Sequence, residues 1–277
     1  MKRYRLLIET NDEKGLVYKV SKVLYMHNLN VERNSEFVDK ITNKFFMRTV
    51  VTGDFDSELL INDVIAVLPI ASDIKLAEDK NKDIVILATK EMHCLGDLLI
   101  KNAESKLKAN IKAVVSNHNS LRNIVEKFDI PFEYVSHEDI SREEHESRVS
   151  KAINKYNPAI IVLAKYMRIL SPDFVNKFNG KLLNIHHSFL PAFIGANPYK
   201  QAFDRGVKII GATSHFVTND LDEGPIIAQD IVQVDHNYSW QAMRDSGQNI
   251  EKNVLSNALY LVLRDKVFVY NNKTVIL

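Results

Sequence analysis

The strongest constraint on the fold is the series of apolar segments that begins at Ile84. IVILAT, ANIKAVVSN and AIIVLAKY each have strand length, and the helical patterns HCLGDLLIKNAESKL, SLRNIVEKFDI and SREEHESRVSKAINKYN lie among them. Apolar strands that alternate with helices belong in a parallel sheet with helices packed on it. PFEYVS reads as an edge strand. SPDFVNKFNG reads as another helix, with Ser171 as N-cap, Pro172 in first position and Gly180 as C-cap. The chain closes with a helix from Trp240 to Arg264, broken or continuous, and the hairpin KVFVYNNKTVIL.

Before Ile84 the pattern differs. YRLLIET is a strand that ends at the polar turn Asn11 to Gly15. In LVYKVSKVLYMHN, Leu16, Val20, Val23 and Leu24 share a helical face, with Tyr18 near it. Strands at Leu29–Phe37 and Lys44–Thr52 follow, then the helix DSELLINDVIAVLPIAS and the short strand SDIKLAE. The order β-α-β-β-α-β is the ferredoxin-like pattern. The charged tract Glu78 to Asp83 reads as a linker, which divides the chain into residues 1–82 and 83–277.

Composition narrows the function classes. The 277 residues are 45% hydrophobic and 26% charged, ordinary values for a globular protein. With 36 basic against 35 acidic residues, no electrostatic footprint for nucleic acid or a membrane surface is present. The lone cysteine, Cys94, excludes an intramolecular disulfide and fits a reducing compartment. Glu9, Asp12 and Glu13 interrupt any signal-peptide core, and no apolar run approaches the ~20 residues of a membrane span. A soluble, cytoplasmic protein is expected.

Chemistry concentrates between Leu182 and Asp230. The strand KLLNIHH delivers Asn184, His186 and His187, and the β-rich run Ile209 to Val217 delivers His215. The tight turn Thr218 to Pro225 adds Asp222. Open α/β sheets bind ligands at strand ends such as these. Two residues apart on a strand, Asn184 and His186 face the same side, whereas His186 and His187 face opposite sides. With Asp222 they make an amide–imidazole–carboxylate set suited to general acid–base catalysis with an oxyanion hole. The same residues also suit a purely structural reading, with Asn and His capping strand ends and Asp222 shaping a turn.

Other chemistries find less support. Residues 89–96 follow the first parallel strand but contain only Gly96, so neither G-x-G-x-x-G nor a Walker loop is present for a nucleotide cofactor. His93, His186, His187 and His215 raise the question of zinc. No H-x-x-x-H helix spacing accompanies them, and no metal is expected. Cys94 beside Leu95 reads as packing rather than as a thiolate, and Ser188 lacks the G-x-S-x-G elbow.

NIHHSFLPAFIG at 184–195 and HFVTNDLDEGPII at 215–227 resemble the signature of the formyltransferase superfamily that uses 10-formyltetrahydrofolate. TKEMHCLGDLL, VLAKYMRILSP, IEKNVLSNALY and VFVYNNKTVIL extend the resemblance over nearly the whole chain, to the hydrolytic branch of that family. That branch joins an N-terminal ACT domain to a Rossmann-like catalytic domain with a mostly parallel sheet. The resemblance implies catalytic roles for Asn184, His186 and Asp222, with His187 and His215 in support. It implies a pterin site on Met167, Arg168 and Leu170 and on Thr218, Asn219, Asp220 and Leu221. His187 stands where the transferases usually have proline. Lys90, Glu91, His93 and Leu95 replace the Gly/Ser-rich loop with which glycinamide ribonucleotide formyltransferase holds its substrate's phosphate. Hydrolysis of 10-formyltetrahydrofolate to formate and tetrahydrofolate, which supplies formate to purine biosynthesis, is the implied reaction, with water as partner and no cofactor. The alternatives are transfer to an amine acceptor and a non-catalytic sensor.

For the first region, the resemblance is to ACT domains, which bind amino acids and pair with themselves. It places an effector, glycine or methionine, near Asp12, Gly15 and Leu16, and implies a homo-oligomer. Gly15 as a plain turn glycine in a domain that joins subunits is the simpler reading. Asn197 stands where related deformylases carry a basic residue, which bears on contact with the acidic tail of the substrate.

Overall fold

The computed structural model describes residues 2–192 and 198–277. They cluster into two units. The first comprises residues up to Lys80 with Arg264–Tyr270 and Val275–Leu277; the second comprises Asn81–Leu263 with Asn271–Thr274. Where the sequence suggests a single cut between residues 82 and 83, contacts return two C-terminal pieces to the first unit.

The first unit runs β1 (Lys2–Asn11), α1 (Leu16–Met26), β2 (Asn30–Asp39), β3 (Lys44–Gly53), α2 (Ser57–Val67) and β4 (Asp73–Glu78). Its antiparallel sheet has the order β2-β3-β1-β4. Alternation on β1 sends Leu6 and Ile8 to one face, where they meet Leu16, Val20, Val23 and Leu24 of α1 and Leu60 and Val64 of α2. Tyr18 does not join them; at 69% exposure it lies off the buried face of α1. The other sheet face carries Arg5, Leu7, Phe46 and Arg48. Leu7 and Phe46 pack against Phe268. Arg5 is buried and pairs with Asp79 and, at 2.9 Å, with Asp265. The Nε of Arg48 donates to the Asp265 carbonyl at 2.9 Å. Two guanidinium groups on a sheet face require such partners, because an unpaired buried charge is costly. That need accounts for the return of the C-terminal residues.

The second unit begins at β5 (Lys82–Ala88), so residues 79–81 alone separate it from β4 and the expected linker is shorter than its charges suggest. There follow α3 (His93–Ala103), β6 (Ala109–Ser116), α4 (Arg122–Glu126), β7 (Phe132–Tyr134), α5 (Arg142–Asn154), β8 (Ile160–Ala164), α6 (Pro172–Lys177) and β9 (Leu182–His186). Next come α7 (Pro198–Arg205), β10 (Ile209–Phe216), β11 (Ile226–Gln233) and α8 (Trp240–Leu263). The hairpin strands β12 (Val267–Tyr270) and β13 (Lys273–Ile276) end the chain. The sheet order is β11-β10-β9-β8-β5-β6-β7, parallel from β9 through β7, with β10 antiparallel to both its neighbours. Val85 and Leu87 of β5 pack with Ile161 and Leu163 of β8 and with α5 and α6 in an apolar core. Helix α6 opens on Ser171, whose hydroxyl accepts from the Phe174 amide, but it closes at Phe178 rather than Gly180. Gly180 instead supplies a left-handed residue (φ +71°) in the turn into β9. Helix α8 is continuous.

Candidate active site

Strand order reverses at β5, which has β6 on one side and β8 on the other. The carboxyl ends of β5 and β8 therefore open a crevice, and the amide of Met167 donates to Thr89 Oγ1 across it at 2.9 Å. Strands β9 and β10, beyond β8, carry the polar cluster.

Register explains how the cluster assembles. In the antiparallel β9–β10 pair, His215 lies opposite Asn184 and Thr213 opposite His186. The Nδ2 of Asn184 is 3.2 Å from His215 Nε2, and His215 Nδ1 is 2.9 Å from the Phe216 carbonyl. The carbonyl can only accept, so Nδ1 carries a proton and Nε2 accepts from Asn184. The second Nδ2 hydrogen of Asn184 is left for another acceptor. Burial pushes the His215 imidazole below its ordinary pKa, against the raising effects of the Phe216 carbonyl and Asp222, which favours this neutral form.

After β10 the chain turns through Thr218 to Pro225 and returns as β11. Asp222 sits in the left-handed region at φ +59°, which aspartate tolerates better than most residues. Gly224 has no such freedom of replacement: a Cβ there would lie 1.8 Å from the Phe216 carbonyl oxygen. This close crossing holds the turn over the end of β10. Asp222 Oδ2 comes within 3.2 Å of His186 Nδ1, and Oδ1 within 3.8 Å of His215 Nε2. Burial would raise the Asp222 carboxyl. The hydrogen bond and charge of His186, with His215 and His187, outweigh it and hold the group below the usual carboxylate range. The other nitrogen of His186, Nε2, is buried and has no hydrogen-bond partner among the described residues.

His187 departs from the expected alternation. Strand β9 ends at His186, so the period of two does not extend to the next residue, and the two imidazoles stack at 5.1 Å with an interplanar angle of 23°. His187 leads on to Tyr199 of α7, 6.2 Å away between ring centroids. Burial, then the Lys165 charge, lowers His187 to about 4.

The other expected site residues divide. Met167 is exposed, Arg168 is half-buried, and Leu170 packs against the β8–α6 core. In the turn, Thr218 Oγ1 donates to the Asp220 carbonyl at 3.2 Å, Asn219 Nδ2 donates to Asn176 at 3.1 Å, and Leu221 is exposed. A cleft of about 430 Å³ opens beside Asp222, with Leu190, Pro191, Ile226 and Lys273 on its walls. Asn197 lies outside the described residues. In the first unit, the Asp12 amide donates to the Asn43 carbonyl at 2.8 Å, and Gly15 (φ +90°) is the N-cap of α1, whose first residue is the buried Leu16.

Sequence reasoning passed over one group entirely. Glu251 of α8 is wholly buried and receives Tyr199 Oη at 2.5 Å, His93 Nε2 at 2.9 Å and Lys165 Nζ at 3.1 Å. Desolvation would raise its carboxyl, but His93, Lys165 and Tyr199 together hold it at about 2. The signal was a lysine at the end of a buried strand and a glutamate on the apolar face of a helix, four residues after Gly247. His93, Cys94 and Glu251 place ligand atoms within 4.8 Å of one another. The ammonium of Lys165 already occupies the Glu251 carboxylate there, and burial pushes the Cys94 thiol far up.

The fold and this set of side chains define a formyl transferase domain, and a family model described as formyl transferase matches residues 82–259. The chain belongs to that family. It is similar to the formyltetrahydrofolate deformylase of Escherichia coli (strain K12), at 54% identity over 266 residues covering 96% of this chain and 95% of that protein. The crystal structure of a formyltetrahydrofolate deformylase from Pseudomonas syringae superposes with a TM-score of 0.95 at 39% identity, covering 100% of this chain and 94% of that one. Glycinamide ribonucleotide transformylase 1 from Symbiobacterium toebii superposes with a TM-score of 0.68 at 26% identity, over 71% of this chain and 94% of its own. No helix of the described residues is long and apolar enough to cross a membrane.

Proposed function

We propose that this chain hydrolyses 10-formyltetrahydrofolate to formate and tetrahydrofolate. Similarity to formyltetrahydrofolate deformylases over nearly the whole chain, against 71% of it for a glycinamide ribonucleotide transformylase, favours hydrolysis over transfer to an amine. The observation that carries the chemistry is the His186–Asp222 contact, because it leaves His186 Nε2 buried, and without a partner among the described residues, beside an ionised carboxylate.

Water attacks the formyl carbon and gives its proton to Asp222. As the tetrahedral oxyanion forms, the free Nδ2 hydrogen of Asn184 and an Nε2 hydrogen of protonated His186 stabilise it. The C–N10 bond then breaks with its electron pair going to N10, which takes a proton relayed by His186 or Asp222. His215 orients Asn184. No metal or cofactor enters any step. The backbone of Met167, Arg168 and Leu170 and the turn Thr218 to Leu221 are assigned to the pterin, a flat ring with donors and acceptors that main-chain groups can match.

The first unit is read as an ACT domain that assembles the protein and takes an amino acid, glycine or methionine, near Asp12, Gly15 and Leu16. Its β-α-β-β-α-β order and the left-handed Gly15 at the head of α1 support this. A homo-oligomer in the cytoplasm, supplying formate to purine synthesis, is the setting this implies. Formate release from 10-formyltetrahydrofolate with no amine present tests the enzymatic reading. Product that appears only after an amine is added would make the protein a transferase.

A further inference from the structure

The loop that joins β8 to α6, Lys165 to Ser171, exposes apolar side chains and yet is fastened along its length. Met167 is 55% and Ile169 65% exposed, so neither is held in place by burial. A short surface loop of this kind moves unless its main chain is tied elsewhere. Near its start, the Met167 amide donates to Thr89 Oγ1 at 2.9 Å. In its middle, Arg142 Nη2 donates to the Ile169 carbonyl at 2.8 Å. At its end, the Ser171 amide donates to Glu146 Oε1 at 2.9 Å, and the Ser171 hydroxyl donates to Oε2 of the same carboxylate. Glu146 stands behind two of these three points. It lies one helical turn after Arg142 on α5 and accepts from Arg142 Nε at 3.3 Å, so the guanidinium that holds Ile169 is itself held by Glu146. Glu143 and Glu144 on the same helix are exposed, whereas Glu146 faces inward at 9% exposure. A carboxylate is costly to bury and is retained where donors take up its lone pairs. Here, among the described residues, those donors are the end of the loop and the arginine that grips its middle.

We propose that Glu146 is a positioning residue for substrate binding: it sets the main chain of Met167 to Leu170 in the shape that receives the pterin and takes no part in the chemistry. The inference rests on the assignment of that loop to the pterin, made above. A flat ring matched by main-chain groups gains full affinity only if those groups stand in place before it arrives. Loosening the loop costs affinity, because the ring must then order it. Asn184, His186 and Asp222 are held by contacts of their own and act as before once the substrate is bound. A carboxylate that served only to anchor the start of α6 would instead cost stability on removal and leave affinity alone.

The test uses the full chain and measures kcat and KM for formate release from 10-formyltetrahydrofolate, together with tetrahydrofolate affinity by titration calorimetry. Glu146→Ala is expected to raise KM and weaken tetrahydrofolate binding at least roughly tenfold, with kcat within about threefold of wild type. Glu146→Gln keeps an acceptor for the Ser171 amide and is expected to recover most of the affinity. Glu146→Asp keeps the charge but withdraws it from Ser171 by one methylene. It is expected to raise KM by a smaller factor, which covers a Glu146→Ala chain that does not fold. A folded Glu146→Ala chain with wild-type KM and affinity overturns the proposal, as does one in which kcat alone falls; if only Glu146→Asp folds, the same outcomes there overturn it. A glycine inserted between Arg168 and Ile169 displaces the loop directly and separates the two readings. If that insertion leaves KM and affinity unchanged, the assignment of the loop to the pterin fails. If the insertion weakens binding but the Glu146 variants do not, only the role of Glu146 is lost.

Discussion

The Nδ1 of His186 lies 3.2 Å from Asp222 Oδ2, while the Nε2 of the same ring is buried without a partner among the described residues. One carboxylate thus orients the ring and holds a proton on its near nitrogen, so the far nitrogen is presented to whatever enters the site. Substituting Asp222 removes base and orienting group together. Asp222→Asn is expected to lower kcat by roughly 10²–10⁴, the range of general acid–base groups, with the fold retained. Formate release under saturating substrate measures it, and a variant within a few-fold of wild type would remove Asp222 from the mechanism.

Asn184 acts through one Nδ2 hydrogen, the other being engaged with His215. Asn184→Ala is expected to cost roughly 10²–10³ in kcat with little change in KM, as for loss of one oxyanion donor. His215→Ala should reproduce part of that loss through disorientation of the amide. Equal effects on kcat and KM from Asn184→Ala would point to binding instead.

Gly224 has a steric role. A Cβ there would stand 1.8 Å from the Phe216 carbonyl oxygen and 2.9 Å from its carbonyl carbon, and backbone cannot yield as a flexible side chain can. Gly224→Ala is expected to destabilise the second unit by about 3 kcal/mol or more, with loss of activity from displacement of Asp222. Thermal unfolding compared with wild type measures the first effect, and an unchanged midpoint would contradict the crossing.

His187 makes stability depend on pH. Its pKa is about 4 in the folded chain against an ordinary 6.5, so between those values the unfolded chain binds a proton that the folded chain does not. Stability is full above 6.5 and falls as pH drops from 6.5 to about 4, by about 1.4 kcal/mol per pH unit at most and roughly 3 kcal/mol in total. His187→Asn should flatten that part of the curve. Denaturant titrations at a series of pH values would show it, and an unaltered slope would assign the dependence to other groups.

Legibility in the sequence followed locality. The apolar strands from Ile84 onward and the β-α-β-β-α-β opening could be read because strand and helix periods are properties of neighbouring residues. Asn184, His186 and Asp222 stand out as candidates in the sequence because two of them share a strand face and the third sits in a tight polar turn, and the structure brings their side chains together around His215. The break at His187 was missed because alternation was carried one residue beyond the strand. Helix α7 lies in the stretch between His187 and Ile209, where Pro191, Gly195 and Pro198 suggest a loop, and Tyr18 lies off the helix face that packs on the sheet.

By itself, then, the sequence determined the two kinds of sheet, the polar composition of the strand ends and the membership of the family, all of which depend on residue order over short distances. The tertiary structure alone decided that Glu251, 86 positions after Lys165 in the chain, should meet it 3.1 Å away, and that residues 264–270 should return to Arg5 and Arg48. Both outcomes have the same cause. A charge that packing takes out of water must find its counter-charge wherever the fold brings one, and no local pattern announces that partner.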